Sequence, residues 1–178
     1  MRVIAGQLGG RRLQTPRGVA TRPTAERVRE ALFSILGELD GAVVLDLFAG
    51  SGALGIEALS RGAASATFVE RAPRALVALR ANLASLALTD RARVLGGDAL
   101  AALRSADKYD LVFLDPPYAT APVLAEALSR DLPGVLCAGA RVVSESDRRA
   151  PLELAALPVR IERRYGDTII RIHETSKP

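Results

Sequence analysis

The rhythm of hydrophobic positions changes at residue 42. From there, short and nearly continuous apolar runs alternate with stretches of helical period. The runs are AVVLDLF (42–48), ATFVE (66–70), ARVLGG (92–97), DLVFLD (110–115) and ARVVSE (140–145). Continuous hydrophobicity, rather than alternation, is what strands covered on both faces require. Between the runs, PRALVALRANLASL (73–86) spaces Leu76, Leu79, Leu83 and Leu86 at helical intervals, and Pro73 suits a first helical turn. Short linkers between such units predict an α/β fold with a doubly wound, mostly parallel sheet. In PVRIERRYGDTIIRIHE (158–174), two β-type runs flank Gly166-Asp167, a hairpin signal that closes the sheet with antiparallel strands.

The first residues follow neither pattern. MRVIAGQLGGRRLQTP mixes short apolar groups with glycines and predicts a small β-hairpin or extended arm. Thr24 then reads as the N-cap of a helix whose apolar stripe is Val28, Ala31, Leu32, Ile35 and Leu39. The expected organisation is a basic N-terminal extension (1–23) followed by one domain (24–178).

Charge sharpens the view of that extension. Residues 1–30 hold seven arginines against Glu26 and Glu30, a net +5, while the whole chain is +4. All the excess positive charge therefore sits in the first sixth of the chain. A localised basic segment is what contact with nucleic-acid phosphates requires; a solvated end, or an arm for an acidic protein surface, has the same composition. One cysteine (Cys137) and one histidine (His173) exclude an internal disulfide and a His/Cys metal cluster. No metal is expected. Cys137 and His173 carry no functional signal, and His173 on a tail strand reads as surface. No apolar stretch is long enough to cross a bilayer and no signal-peptide core is visible, so a cytoplasmic protein is expected.

Gly50-Ser51-Gly52-Ala53-Leu54-Gly55 fits G-x-G-x-x-G between a predicted strand and a predicted helix. Glu70, twenty residues after Gly50, ends the second strand, where an acid can accept hydrogen bonds from ribose hydroxyls. A compact βα turn would use the same glycines. Asp46 precedes this loop, and its negative charge would repel a pyrophosphate but suit a cationic ligand such as S-adenosylmethionine. Asp98, after the third strand, is placed either to accept from an adenine amino group or to cap the next helix.

DLVFLDPPY ends a buried strand in a carboxylate, two prolines and an aromatic ring. An exocyclic base amine is a weak nucleophile, because its lone pair is delocalised into the ring. Methyl transfer to it needs the nitrogen pyramidalised and aimed, which two acceptors can do. Asp115 offers a carboxylate and Pro116 a backbone carbonyl, which Pro117 biases toward one direction. Tyr118 offers a ring for stacking the base. A strand-ending turn with Asp115 as a cap and Tyr118 as packing is the plain structural reading of the same residues.

DPPY resembles the D/N-P-P-Y/F signature of Rossmann-like methyltransferases that act on planar amines. RPTAERVREALFSIL (22–36), LDLFAGSGALGIEALSRGA (45–63), FVE (68–70), DPPY (115–118) and YGDT (165–168) follow the order seen in the bacterial 16S rRNA guanine-N2 methyltransferase family. Glu26 and Ser34 depart mildly from that pattern, in which Asp and Asn are common. The resemblance implies an S-adenosylmethionine-dependent enzyme that methylates N2 of a guanine in 16S rRNA, on an assembled small subunit, as a monomer. It implies a cofactor site of Asp46, Phe48, Ala49, Gly50, Gly52, Glu70, Asp98 and Ala99, and a base site of Asp115, Pro116, Pro117 and Tyr118. RNA would meet Arg2, Arg11, Arg12, Arg22, Thr24 and Arg27. Rival readings are an NAD-dependent oxidoreductase, which leaves Asp46 and DPPY unexplained; a DNA or other RNA methyltransferase acting on adenine N6 or cytosine N4; and a non-catalytic RNA-binding module with a vestigial pocket.

Overall fold

The computed structural model describes residues 1–16, 23–104, 107–117 and 121–176, with the side chains of Pro23–Ala25, Ala121 and Pro122 left out. Seven strands form one sheet: β1 (Val43–Asp46), β2 (Ser65–Glu70), β3 (Ala92–Gly96), β4 (Tyr109–Leu114), β5 (Leu136–Asp147), β6 (Val159–Tyr165) and β7 (Thr168–Glu174). Their order is β3-β2-β1-β4-β5-β7-β6, with β1 to β5 parallel. β7 runs antiparallel between β5 and β6. Tyr165 pairs with Thr168, so Gly166-Asp167 is the two-residue turn that the sequence predicts, with Gly166 at φ +62°. The doubly wound α/β expectation is borne out.

The helices are α1 (Pro23–Leu36), α2 (Ala53–Ser60), α3 (Pro73–Ser85), α4 (Ala99–Ala102) and α5 (Ala121–Asp131). Helix α1 starts at Pro23, so Thr24 lies within its first turn and is not the N-cap that the sequence suggests. Proline at the first helical position costs no hydrogen bond and presets φ. Among the described residues no helix is long and apolar enough to cross a membrane.

Two apolar cores follow from the alternation of side chains along parallel strands. Val44, Phe68, Leu111, Phe113 and Val143 face a core built with Phe33, Leu36, Leu59, Leu79 and Leu83. Leu45, Leu47, Val69, Val112, Leu114 and Val142 face the other, with Leu128, Leu132, Leu152 and Leu154. Val3 and Leu13 are buried in the first core, so the N-terminal residues are packed and not a free tail. An antiparallel bridge joins Arg2 to Arg12, with a short 3-10 turn at Gly6–Leu8 between.

Parity has a consequence for chemistry. Asp46 continues the series of Val44, Glu70 that of Phe68, and Asp115 that of Phe113. Three acids thus stand at the C-terminal ends of three strands, on the face of the first core. The strand order reverses direction between β1 and β4, and open α/β sheets bind ligands at such a switch point.

Candidate active site

The glycine loop leaves β1 at the switch point and is tied to both neighbouring strands. Leu47 N–H donates to the Phe113 carbonyl (3.1 Å) and Ala49 N–H to that of Val69 (2.9 Å). Gly52 sits at φ +89°, a left-handed conformation that favours glycine, and a Cβ there would lie 2.5 Å from Leu79 Cδ1 and push that side chain aside. Gly50, at φ +54°, has open space where a Cβ would point. Phe48 is half-buried beside the loop, and Ala49 is buried.

Glu70 holds this loop. Its Oε2 accepts from Gly50 N–H (2.8 Å), and Oε1 accepts from Arg71 and Ala72 N–H (2.8 and 2.7 Å). A carboxylate offers about four acceptor positions, so three are filled and one stays available. A second clamp escaped the sequence reading. Asn82 is fully buried on the otherwise apolar face of α3. Its Nδ2 donates to the carbonyls of Ser51 and Gln14 (both 2.9 Å), and its Oδ1 accepts from Gln14 N–H (2.7 Å). The N-terminal segment and the glycine loop thus share one side chain.

Asp46 is 2% exposed, and its Oδ2 accepts from Gly55 N–H at 3.0 Å. Burial first, then the nearby Glu70 charge, raises its pKa to about 7, against the lowering effect of the Gly55 hydrogen bond. The unfolded group titrates near 3.8. The folded protein therefore keeps a proton that the unfolded chain loses, and this contribution to stability is full below pH 3.8 and lost as pH rises through 7. Asp46→Asn is expected to melt higher than the parent at pH 8 by the equivalent of a few kcal/mol, and to gain little at pH 4. Thermal melts at the two pH values check this; an equal shift at both would remove Asp46 as the cause.

Across the switch point, Asp115 follows β4. It is open to solvent on one side and walled by protein elsewhere. That wall, then repulsion from Glu145 and from Asp46, raises its carboxyl above the usual range. Because water reaches the group, the rise is smaller than full enclosure would give. Pro116 is buried and Pro117 exposed. Tyr118 lies outside the described residues, as does Arg22. Asp98, exposed, caps α4: its Oδ1 accepts from Leu100 and Ala101 N–H (2.9 and 3.1 Å), and buried Ala99 starts that helix. Capping leaves its other oxygen available.

The structure does not gather all the expected RNA residues at this lip. Arg2, Arg11 and Arg12 are exposed on the N-terminal hairpin, which seats on the C-terminal ends of α2 and α3 through Leu8 N–H to Ser60 Oγ (2.9 Å) and Arg11 Nη2 to the Ser85 carbonyl (3.2 Å). Arg2 also pairs with Glu26, while Arg27 is exposed on α1. Thr24 has a described backbone only. Arg29, one of the seven arginines behind the local excess charge, is 5% exposed and lies beside Glu57, so it offers nothing to phosphates.

One further expectation fails. His173 is 1% exposed, with Nδ1 3.0 Å from the Leu157 carbonyl and Nε2 3.4 Å from Ser144 Oγ, and burial lowers its pKa. It is a core residue because β7 is a central strand, covered on both sides by β5 and β6.

Strand order, switch-point loop and acid-lined lip define a Rossmann-like methyltransferase. The chain belongs to the family described as "Conserved hypothetical protein 95", whose model matches residues 1–174. It is 40% identical to "Putative rRNA methyltransferase YlbH" of Bacillus subtilis over 98% of both chains. It is 45% identical to "Ribosomal RNA small subunit methyltransferase D" of Escherichia coli K12, over 66% of this chain and 60% of that protein. Among solved structures, "Putative methyltransferase yhhF from Escherichia coli" superposes with a TM-score of 0.84 at 35% identity, covering 100% of this chain and 99% of the other.

Proposed function

We propose that the protein transfers a methyl group from S-adenosylmethionine to the exocyclic N2 of a guanine in 16S rRNA, acting as a cytoplasmic monomer on the assembled small subunit. One observation carries this reading. The glycine loop after β1 and the Asp115-Pro116 turn after β4 lie side by side at the switch point, with Asp46, Glu70 and Asp115 on one face. End-to-end similarity to a protein named as an rRNA methyltransferase supports the substrate class.

The residues present fit this cofactor. Asp46, its pKa raised by burial and then by the Glu70 charge, would gain from a cationic ligand and be opposed by a phosphate. Open space beside Gly50 leaves backbone accessible. Asp46, the loop from Phe48 to Gly52, Glu70, Asp98 and Ala99 are the residues that would hold it; Glu70 would use its free acceptor position for a ribose hydroxyl. When bound, S-adenosylmethionine supplies a methyl group on a cationic sulfur.

The chain's own task is to prepare the acceptor. Asp115 and the Pro116 carbonyl accept the two amine N–H groups, which draws the nitrogen lone pair out of the ring plane and fixes its aim. Their negative and dipolar charge also supports the positive charge that develops on nitrogen. Tyr118 stacks the extruded base. The exposed arginines Arg2, Arg11, Arg12 and Arg27, with Arg22 and Thr24 near the start of α1, meet the RNA backbone.

The test is transfer of labelled methyl to three substrates: unmethylated small subunits, protein-free 16S rRNA and duplex DNA. Label on subunits, mapped to a guanine amino group, is expected. Label on DNA alone would keep the chemistry and overturn the substrate; no label on any of them would leave a binding module. A second expectation concerns the hairpin. Reversing Arg11 and Arg12 to Glu should weaken RNA binding and flatten the dependence of log K on log salt by roughly one per lost phosphate contact. Filter binding across a salt series reads it, and an unaltered slope would place the RNA contact elsewhere.

A further inference from the structure

Glu145 was not singled out by any sequence motif, yet the fold delivers it to the same lip. β4 and β5 are parallel, with Phe113 opposite Val143 and Leu114 opposite Ser144. Continued one residue past the end of β4, that register sets Asp115 beside Glu145. Phe113 and Val143 both face the first core, so by alternation Asp115 and Glu145 emerge on that face also. Asp115 precedes a proline, which keeps its backbone extended and the alternation intact. The two carboxyl groups sense each other: repulsion from Glu145 is the largest charge effect on Asp115.

Glu145 lacks a structural purpose of its own. It is half-buried, and among the described residues its carboxylate has no hydrogen-bond donor and no salt-bridge partner. Burial raises its pKa. A half-buried carboxylate left without donors opposes folding. Glutamine or leucine at this strand position would be less costly, and among the described residues nothing supplies those donors, which a ligand at the lip can.

The ligand's chemistry follows from the proposed function, on which this inference rests. Guanine carries its reactive 2-amine next to an N1–H, two donors side by side on one edge. Adenine and cytosine carry an acceptor nitrogen next to their amine. Two adjacent carboxylates match the first pattern and repel the second. We propose that Glu145 is a specificity-determining substrate-binding residue, whose carboxylate accepts the N1–H of the guanine whose amine Asp115 holds. The lip would then select guanine by an acceptor pair, and an acceptor nitrogen placed against Glu145 would leave a buried negative charge facing a lone pair.

The test compares guanine with 2,6-diaminopurine, which keeps the 2-amine but has an acceptor at N1. Small subunits are reconstituted with 16S rRNA carrying either base at the guanine mapped in the labelling experiment. The full-length protein is expected to prefer guanine by about 100-fold or more in kcat/KM, as sites built around a substrate N–H do. Glu145→Gln, whose amide can accept or donate, should reduce that preference to within about tenfold. Glu145→Ala should lower kcat/KM on guanine by about 100-fold with S-adenosylhomocysteine affinity unchanged. Both variants should melt no lower than the parent, because each removes an unpaired carboxylate. Full discrimination retained in Glu145→Gln, or parental kcat/KM in Glu145→Ala, would overturn the assignment while leaving the proposed function standing. Failure of the parent protein to label a guanine amine would remove the proposed function itself, and this assignment with it.

Discussion

Replacing Asp115 by alanine is expected to lower methyl transfer at least about 100-fold while S-adenosylhomocysteine still binds. The magnitude is that of losing one preorganised group aimed at developing charge. Asp115 follows the last residue of β4 and is open to solvent on one side, so its removal opens no cavity in either core. The effect should therefore fall on the chemical step and not on folding. Asp115→Asn keeps one acceptor oxygen and should fall between the parent and the alanine variant. Single-turnover label transfer separates chemistry from binding, and calorimetry with S-adenosylhomocysteine reports the cofactor site. Unchanged turnover in Asp115→Ala would sink the role given to this carboxylate.

The largest loss of stability is expected from Glu57→Ala. Glu57 is fully buried in α2 and gathers four groups around its carboxylate. Ile4 and Ala5 N–H donate to it at 2.7 and 3.0 Å, Arg61 Nε donates at 2.8 Å, and Arg29 Nε stands 3.9 Å away. Arg29 Nε has no hydrogen-bond partner, so Glu57 is its principal counter-charge. Removing the carboxylate takes the principal counter-charge from a buried guanidinium and leaves two backbone donors unanswered. Breaking such a pair costs about 3–5 kcal/mol, a large part of the stability of an ordinary domain, about 5–15 kcal/mol. Urea denaturation of Glu57→Ala, with Glu57→Gln as the milder comparison, reads the loss. A midpoint within error of the parent would mean that the hairpin is held by Val3, Leu13 and its contacts to Ser60, Asn82 and Ser85 without need of Glu57.

These residues mark where sequence reading stops. The strands and the switch-point loop are legible because continuous apolar runs and glycines act locally: 66–70 and 92–97 match β2 and β3 to within a residue. Glu70 and Asp115 are legible because each ends such a run, and Asp46 because it interrupts one just before the glycines. Asn82 is not, because a polar residue on an apolar helix stripe has meaning only once Ser51 and Gln14 arrive from elsewhere in the chain. Arg29 reads as one of the exposed basic residues until the structure buries it beside Glu57, which no local pattern singles out. His173 reads as surface when β7 is taken for an edge, and the antiparallel order that places it inside is set by pairing with β5. Glu145 ends its run as Glu70 does, but takes on meaning only when β5 pairs with β4 and brings it beside Asp115. Each miss is a long-range partnership that no window of neighbouring residues contains.

The order of the sheet also decides how the molecule behaves in a crowd of its own copies. The two outermost strands, β3 and β6, present unpaired backbone groups that another chain could extend into a shared ribbon. Both carry charge. β6 carries Arg160, Glu162, Arg163 and Arg164 on a mostly exposed strand, and β3 carries exposed Arg93, tied to Asp107 at 2.9 Å. An incoming strand would have to strip water from these groups and set like charges opposite each other. The more deeply buried strands β4, β5 and β7 sit inside, where no stranger can reach their edges. The arginines at the rim thus serve as a guard against fibrillar growth.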